Sequence, residues 1–150
     1  MISPKATIGA DVVFGDDVTV WQNATICDNA VIGNNVVVGS NVWIGKGARI
    51  GNYTRIQHGA FIPNNTIVGK SVFIGPNVTL TDDKYPKAGR LYQAQPPVLE
   101  DDCSLGAACV ILPGVHIGRG AMVGAGAVVL QDVSAFETQV GIPARTVTHK

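Results

Sequence analysis

Four polar side chains are spaced in a way that could carry chemistry. His58 sits in the run Ile56–Gln57–His58–Gly59, Asn64 follows six residues later, Asp82 lies eighteen beyond Asn64, and Asp83 adjoins it. Histidine exchanges a proton near neutral pH, so a positioned His58 suits proton removal from a nucleophile, a role typically contributing about 10²–10⁴-fold in rate. Asp82 and Asp83 place two carboxylates side by side, suited to holding a cationic group. The other ionisable candidates carry less. His116 precedes an apolar residue and should face outward, and His149 lies in the terminal tail. Cys27, Cys103 and Cys109 form neither a C-x-x-C pair nor an even set, which argues against a disulfide framework or a zinc site.

Such groups act only if the chain holds them still, and what holds them is a six-residue beat. From Ile2 through Ile8, Phe14, Val20 and Ile26 to Leu80, every sixth residue is bulky and apolar. Two residues earlier stands a small or β-branched residue, as at Ala24, Ala30, Val36 and Thr54. A large and a small residue alternating on one face describe a short strand with period two. Three positions after the large residue stands a turn former, as at Asp17, Asn23, Asn35 and Asn65, which accepts positive φ. Glycine often follows the large residue directly. Each unit is therefore a strand and a corner, and three units make one coil of a triangular solenoid whose like residues stack about 4.8 Å apart.

The beat breaks once. It resumes at Leu99 and continues through Leu105, Ile111, Ile117, Val123 and Val129, so residues 81–97 must form an extruded loop, rich in charge and proline. Cys103 and Cys109 fall in the small core position. Asn64 and Asp82, one coil apart, should stack at the corner where this loop departs, with His58 one corner earlier. Trp43 and Phe61 are also one coil apart, and their outward ring pair predicts a subunit face.

Composition narrows the field further. The chain has 150 residues, 11 basic and 11 acidic, with no basic cluster, so neither nucleic acid nor an anionic membrane is expected as a partner. No targeting or membrane-spanning segment is evident, and a single cytoplasmic domain is expected.

The pattern resembles the hexapeptide-repeat acyltransferases. That resemblance implies an all-β, left-handed parallel β-helix over residues 1–150, against the usual right-handed crossover preference. It also implies a homotrimer with acetyl-CoA laid in a groove between neighbouring prisms, and no metal requirement. Residues 135–150, containing Val140–Gly141–Ile142–Pro143–Ala144–Arg145, resemble the closing coil of these enzymes. The run from Ile50 to Lys87 is similar to N-acetyltransferases acting on nucleotide-linked 3-amino sugars, which show I-Q-N-N, an acidic residue six positions later, then N-D-K-Y-P-R. Here those places hold His58, Asn64 and Asp82–Asp83–Lys84–Tyr85.

From its chemistry and place in the repeat His58 is the expected catalytic base, although the similar enzymes carry asparagine there, and Asn64, Asp82, Asp83, Lys84 and Tyr85 are expected to bind the acceptor. Gly106, Ala107, Ala108, Gly124 and Ala125 are expected to line the pantetheine arm, with Arg145 and Lys150 near the CoA phosphates. The expected reaction is acetyl transfer to the amine of a UDP- or dTDP-linked sugar in surface-glycan, including lipopolysaccharide, biosynthesis. Alternatives are an O-acetyltransferase of the same fold, a metal protein of the γ-carbonic anhydrase type, which needs three histidine ligands, and a non-catalytic β-helix.

Overall fold

A computed structural model describes residues 1–148; His149 and Lys150, and with them the expected role of Lys150, lie outside the described residues. The two-residue strands occur at the places the beat predicts. They stack in parallel into three sheets of seven, six and eight strands. The first sheet runs from Thr7–Ile8 to Val128–Val129 through Trp43–Ile44 and Phe61–Ile62. The second contains Arg49–Ile50 and Ile67–Val68, and the third Arg55–Ile56 and Phe73–Ile74. Away from the inserted loop and the C-terminal end, each strand pairs with the one eighteen residues on, as Trp43 with Phe61 and Arg55 with Phe73. The chain is a left-handed parallel β-helix.

The second residue of each strand points inward. Ile26, Ile44, Ile62, Leu80, Ile111 and their counterparts are fully buried, and the small positions Ala24, Ala30, Cys103 and Cys109 fill the space between them. Each buried Ile or Leu contributes about 1.5–3 kcal/mol of transfer free energy, so the three ladders supply the main stabilisation. Thr54 and Thr66 occupy small positions, and their hydroxyls donate to the carbonyls of Gly69 (2.9 Å) and Pro63 (2.7 Å), which removes the cost of burying them.

The corners have a stacking device of their own. At several corners a side-chain acceptor two residues past the strand takes the backbone N–H one coil back: Asn34 Oδ1 from Asp16, Asn52 Oδ1 from Asn34, Asn64 Oδ1 from Lys46 and Asp101 Oδ1 from Lys70, at 2.7–2.9 Å. Glycine after the large residue answers a crowding between coils rather than within the bend. A Cβ on Gly75 would lie 2.8 Å from the nitrogen of Ala107 in the next coil.

The inserted loop leaves the stack in register. Ile67 pairs with Val98, 31 residues on in place of eighteen. At the C-terminal end Ile117 bridges Val133, and Thr138–Val140 pairs antiparallel with Arg145–Thr146, which covers the last edge of the third sheet. No helix among the described residues is long and apolar enough to cross a membrane.

Candidate functional site

His58 lies at the corner between the third and first sheets, inside the same device that stacks the other corners. Its Nδ1 accepts the backbone N–H of Ser40 at 2.8 Å. Above it on this corner stand Pro76, Ala107 and Ala125, because Asn77 donates to the carbonyl of His58, Ala108 to that of Pro76 and Gly126 to that of Ala107. Ala107 is therefore two coils, roughly 10 Å, from His58. The beat brings His58 and the small-residue positions onto one edge of the prism.

Along that edge the third sheet carries an apolar groove of about 450 Å³, lined by Phe73, Leu105, Gly106, Met122, Gly124, Ala125 and Val140 among others. Gly106, Gly124 and Ala125 are three of the expected pantetheine positions. Ala107 lies half-buried beside them, and Ala108 is exposed with φ of 57°. Phe73, Met122 and Val140 were not anticipated from the sequence. The signal for Phe73 and Met122 was present, since both occupy the outward position before the large residue and belong to one stack with Ser104. Arg145 borders a separate polar cavity of about 330 Å³, with Asp132, Glu137 and Gln139, and donates to the carbonyl of Ala144 at 2.9 Å.

A second cluster occupies the next corner. Asn64 and Asp82 line one pocket of about 270 Å³, together with Trp43, Phe61, Pro63 and Tyr92. The Tyr92 hydroxyl donates to Asp82 Oδ2, a bond that, with burial and the nearby carboxylates, pushes the phenol up to about 12. Arg90 bridges Asp83 Oδ1 at 2.7 Å and the carbonyl of Tyr85 at 2.5 Å, and the Tyr85 N–H donates to Asp83 at 3.1 Å. The loop is thus tied to itself, and at its base Gln95 donates to the carbonyl of Asp82 at 2.8 Å. Lys84 and Tyr85 are exposed, with the ammonium 5.8 Å from the Tyr85 ring centre. Tyr92 and Arg90 were missed because an irregular loop has no period from which their contacts could be read.

The two clusters do not meet within one prism. One strand of the first sheet, bearing the outward ring of Phe61, separates His58 from Asn64, six residues that span at most about 20 Å. Among the described residues no three His, Cys, Asp or Glu side chains converge as metal ligands. Cys103 and Cys109 are buried in the core, where desolvation pushes each thiol up to about 12.

Known proteins share this architecture. A 54-residue stretch, 36% of the chain, is 50% identical to 23% of the 2,3,4,5-tetrahydropyridine-2,6-dicarboxylate N-acetyltransferase of Staphylococcus aureus. The match thus spans about a quarter of that relative's length. A hexapeptide-repeat containing acetyltransferase from Vibrio cholerae superposes with a TM-score of 0.67 at 27% identity, over 91% of this chain and 72% of that one. The GDP-perosamine N-acetyltransferase of Caulobacter crescentus, solved with CoA and GDP-perosamine, superposes with a TM-score of 0.65 at 23% identity, over 99% of this chain and 56% of that one. The profile described as bacterial transferase hexapeptide (six repeats) matches residues 11–46, 47–82 and 96–131, more than half of the sequence, and the chain belongs to that family.

Proposed function

We propose that this protein transfers the acetyl group of acetyl-CoA to the amine of a nucleotide-linked amino sugar. The observation that carries the reading is the shared edge: the apolar groove with Gly106, Gly124 and Ala125 ends one to two coils above His58. An extended apolar arm laid there passes small residues that let it approach the backbone closely, and its thioester end points toward His58. Acetyltransferases among its relatives and structural neighbours, one of them solved with CoA and a nucleotide sugar, favour the same chemistry.

The acceptor belongs at the Asn64–Asp82–Tyr92 pocket. Trp43 and Phe61 offer ring faces to a sugar or base, the Asp82 carboxylate accepts from hydroxyl or amine donors, and the amide nitrogen of Asn64 is left to donate because its oxygen caps Lys46. Asp83, Lys84 and Tyr85 stiffen and edge the loop. A nucleotide sugar is long enough to bridge corners, and a neighbouring copy in a homotrimer brings a second prism against the groove. Binding energy from the remote nucleotide then serves to orient the amine on the thioester carbon.

The test is thiol release from acetyl-CoA with a panel of UDP-, dTDP- and GDP-linked 3-amino and 4-amino sugars. Turnover with at least one amino sugar is expected, and its absence across the panel overturns the reading.

A further inference from the structure

The corner that holds His58 decides which protons it can handle. At the equivalent corners Asn34, Asn52, Asn64 and Asp101 cap the preceding coil with a side-chain oxygen, and His58 fills the same slot with Nδ1, 2.8 Å from the Ser40 nitrogen. A backbone N–H can be received only by a ring nitrogen that carries a lone pair, so Nδ1 is unprotonated and the neutral ring bears its hydrogen on Nε2. The one lone pair of the imidazole is used within the stack. To take a proton at Nε2 the ring would need the other tautomer, which turns Nδ1–H against the Ser40 N–H and leaves two donors facing each other.

We propose that His58 is locked as a hydrogen-bond donor through Nε2–H, and that the protein consequently acetylates amines and not hydroxyls. This rests on the acetyl-transfer reading above. An uncharged amine adds its own lone pair to the thioester carbon. The N–C bond forms, the C–S bond breaks, and the proton shed by nitrogen passes to the departing sulfur, directly or through water. Amide and CoA thiol result, and no protein base enters the balance. The Nε2–H of His58 serves the thioester oxygen while it bears charge. A hydroxyl is a poor nucleophile until a base takes its proton, and His58 has no lone pair free for that task. The carboxylate of Asp82 is at the next corner, hydrogen-bonded to Tyr92.

Two measurements decide the matter. Long-range ¹H–¹⁵N correlation on the full-length protein labelled with [¹⁵N]histidine, with the His58 signals assigned by their loss in His58→Asn, is expected to show the Nε2–H tautomer. An Nδ1–H tautomer or a mixture of the two overturns the lock. The same acetyl-CoA assay with a productive amino sugar and its hydroxyl counterpart is expected to show at least a hundredfold preference for the amine; a smaller preference overturns the selectivity. Absence of turnover with every acceptor would count against acetyl transfer itself, while the tautomer remains readable without it.

Discussion

Ser40 donates its backbone N–H to Nδ1 of His58 at 2.8 Å, the same bond in place and length that Lys46 makes to Oδ1 of Asn64 one corner on. The residue with the strongest claim to chemistry is therefore also a structural cap. His58→Asn should preserve the cap, because asparagine does this work at 34, 52 and 64, and the melting temperature should stay within about 1 °C. His58→Ala leaves the Ser40 N–H without its acceptor. A loss of about 0.5–1 kcal/mol is expected, or roughly 1–4 °C for a chain of this size, read by calorimetry.

Tyr53 provides a test of the corners away from the site. It is exposed at φ of 63°, while Asn35, eighteen residues earlier on the same corner, takes φ of 56° with a side chain that suits it. A tyrosine in the left-handed region is strained by about 1–2 kcal/mol, and asparagine visits that region readily. Tyr53→Asn should raise stability by about 1 kcal/mol in urea titration, with an unchanged m-value.

The same comparison shows what the sequence could disclose. The bulky residues from Ile2 to Leu80 repeat at one spacing, because in a solenoid each contact of the wall is with the residue one coil away, and periodicity encodes it directly. Cys103 and Cys109 were legible as core fillers for that reason. Asn64 and Asp82 were legible as neighbours by the same rule, and they share a pocket. The capping role of His58 was also present in the spacing, since Asn34, Asn52 and Asn64 occupy its position on other corners, but spacing does not specify that an imidazole accepts there through an unprotonated ring nitrogen as an amide oxygen does. The bond between Tyr92 and Asp82 and the pairing of Arg90 with Asp83 were not legible, because they depend on how residues 81–97 fold back on themselves, and no repeat fixes that path.

The groove predicts a blockade. Ala125 is exposed on the groove wall and its side chain fills no core position, so a larger residue there should leave the fold intact. Ala125→Trp should occupy the space proposed for the pantetheine arm. The dissociation constant for acetyl-CoA should rise at least about tenfold by titration calorimetry, equivalent to about 1.4 kcal/mol, with little change in melting temperature.

The buried thiols set an alkaline limit. Desolvation raises Cys103 and Cys109 from 9.0 to about 12 in the folded chain. Folding therefore favours the neutral thiols, and this contribution is full below pH 9 and is lost progressively as pH rises from about 9 toward 12. Denaturant midpoints should fall across that window and should fall less in Cys103→Ala/Cys109→Ala. A thiol reagent at pH 8 should modify neither residue in the native protein and both after unfolding.

The acceptor pocket separates binding from loop order. Asp82 faces Trp43, Phe61 and Asn64, while Asp83 is neutralised by Arg90 within the loop. If Asp82 holds the acceptor, Asp82→Asn should raise KM for the amino sugar at least tenfold and leave KM for acetyl-CoA within about twofold. Arg90→Gln breaks an exposed ion pair, whose intrinsic contribution is about 0–1 kcal/mol, so its effect on KM should be below about fivefold. Tyr92→Phe removes only the donor to Asp82. If that bond serves chiefly to aim the carboxylate, Tyr92→Phe should raise KM for the acceptor without lowering the melting temperature; an equal loss in both substrates' KM would place Tyr92 in loop closure instead.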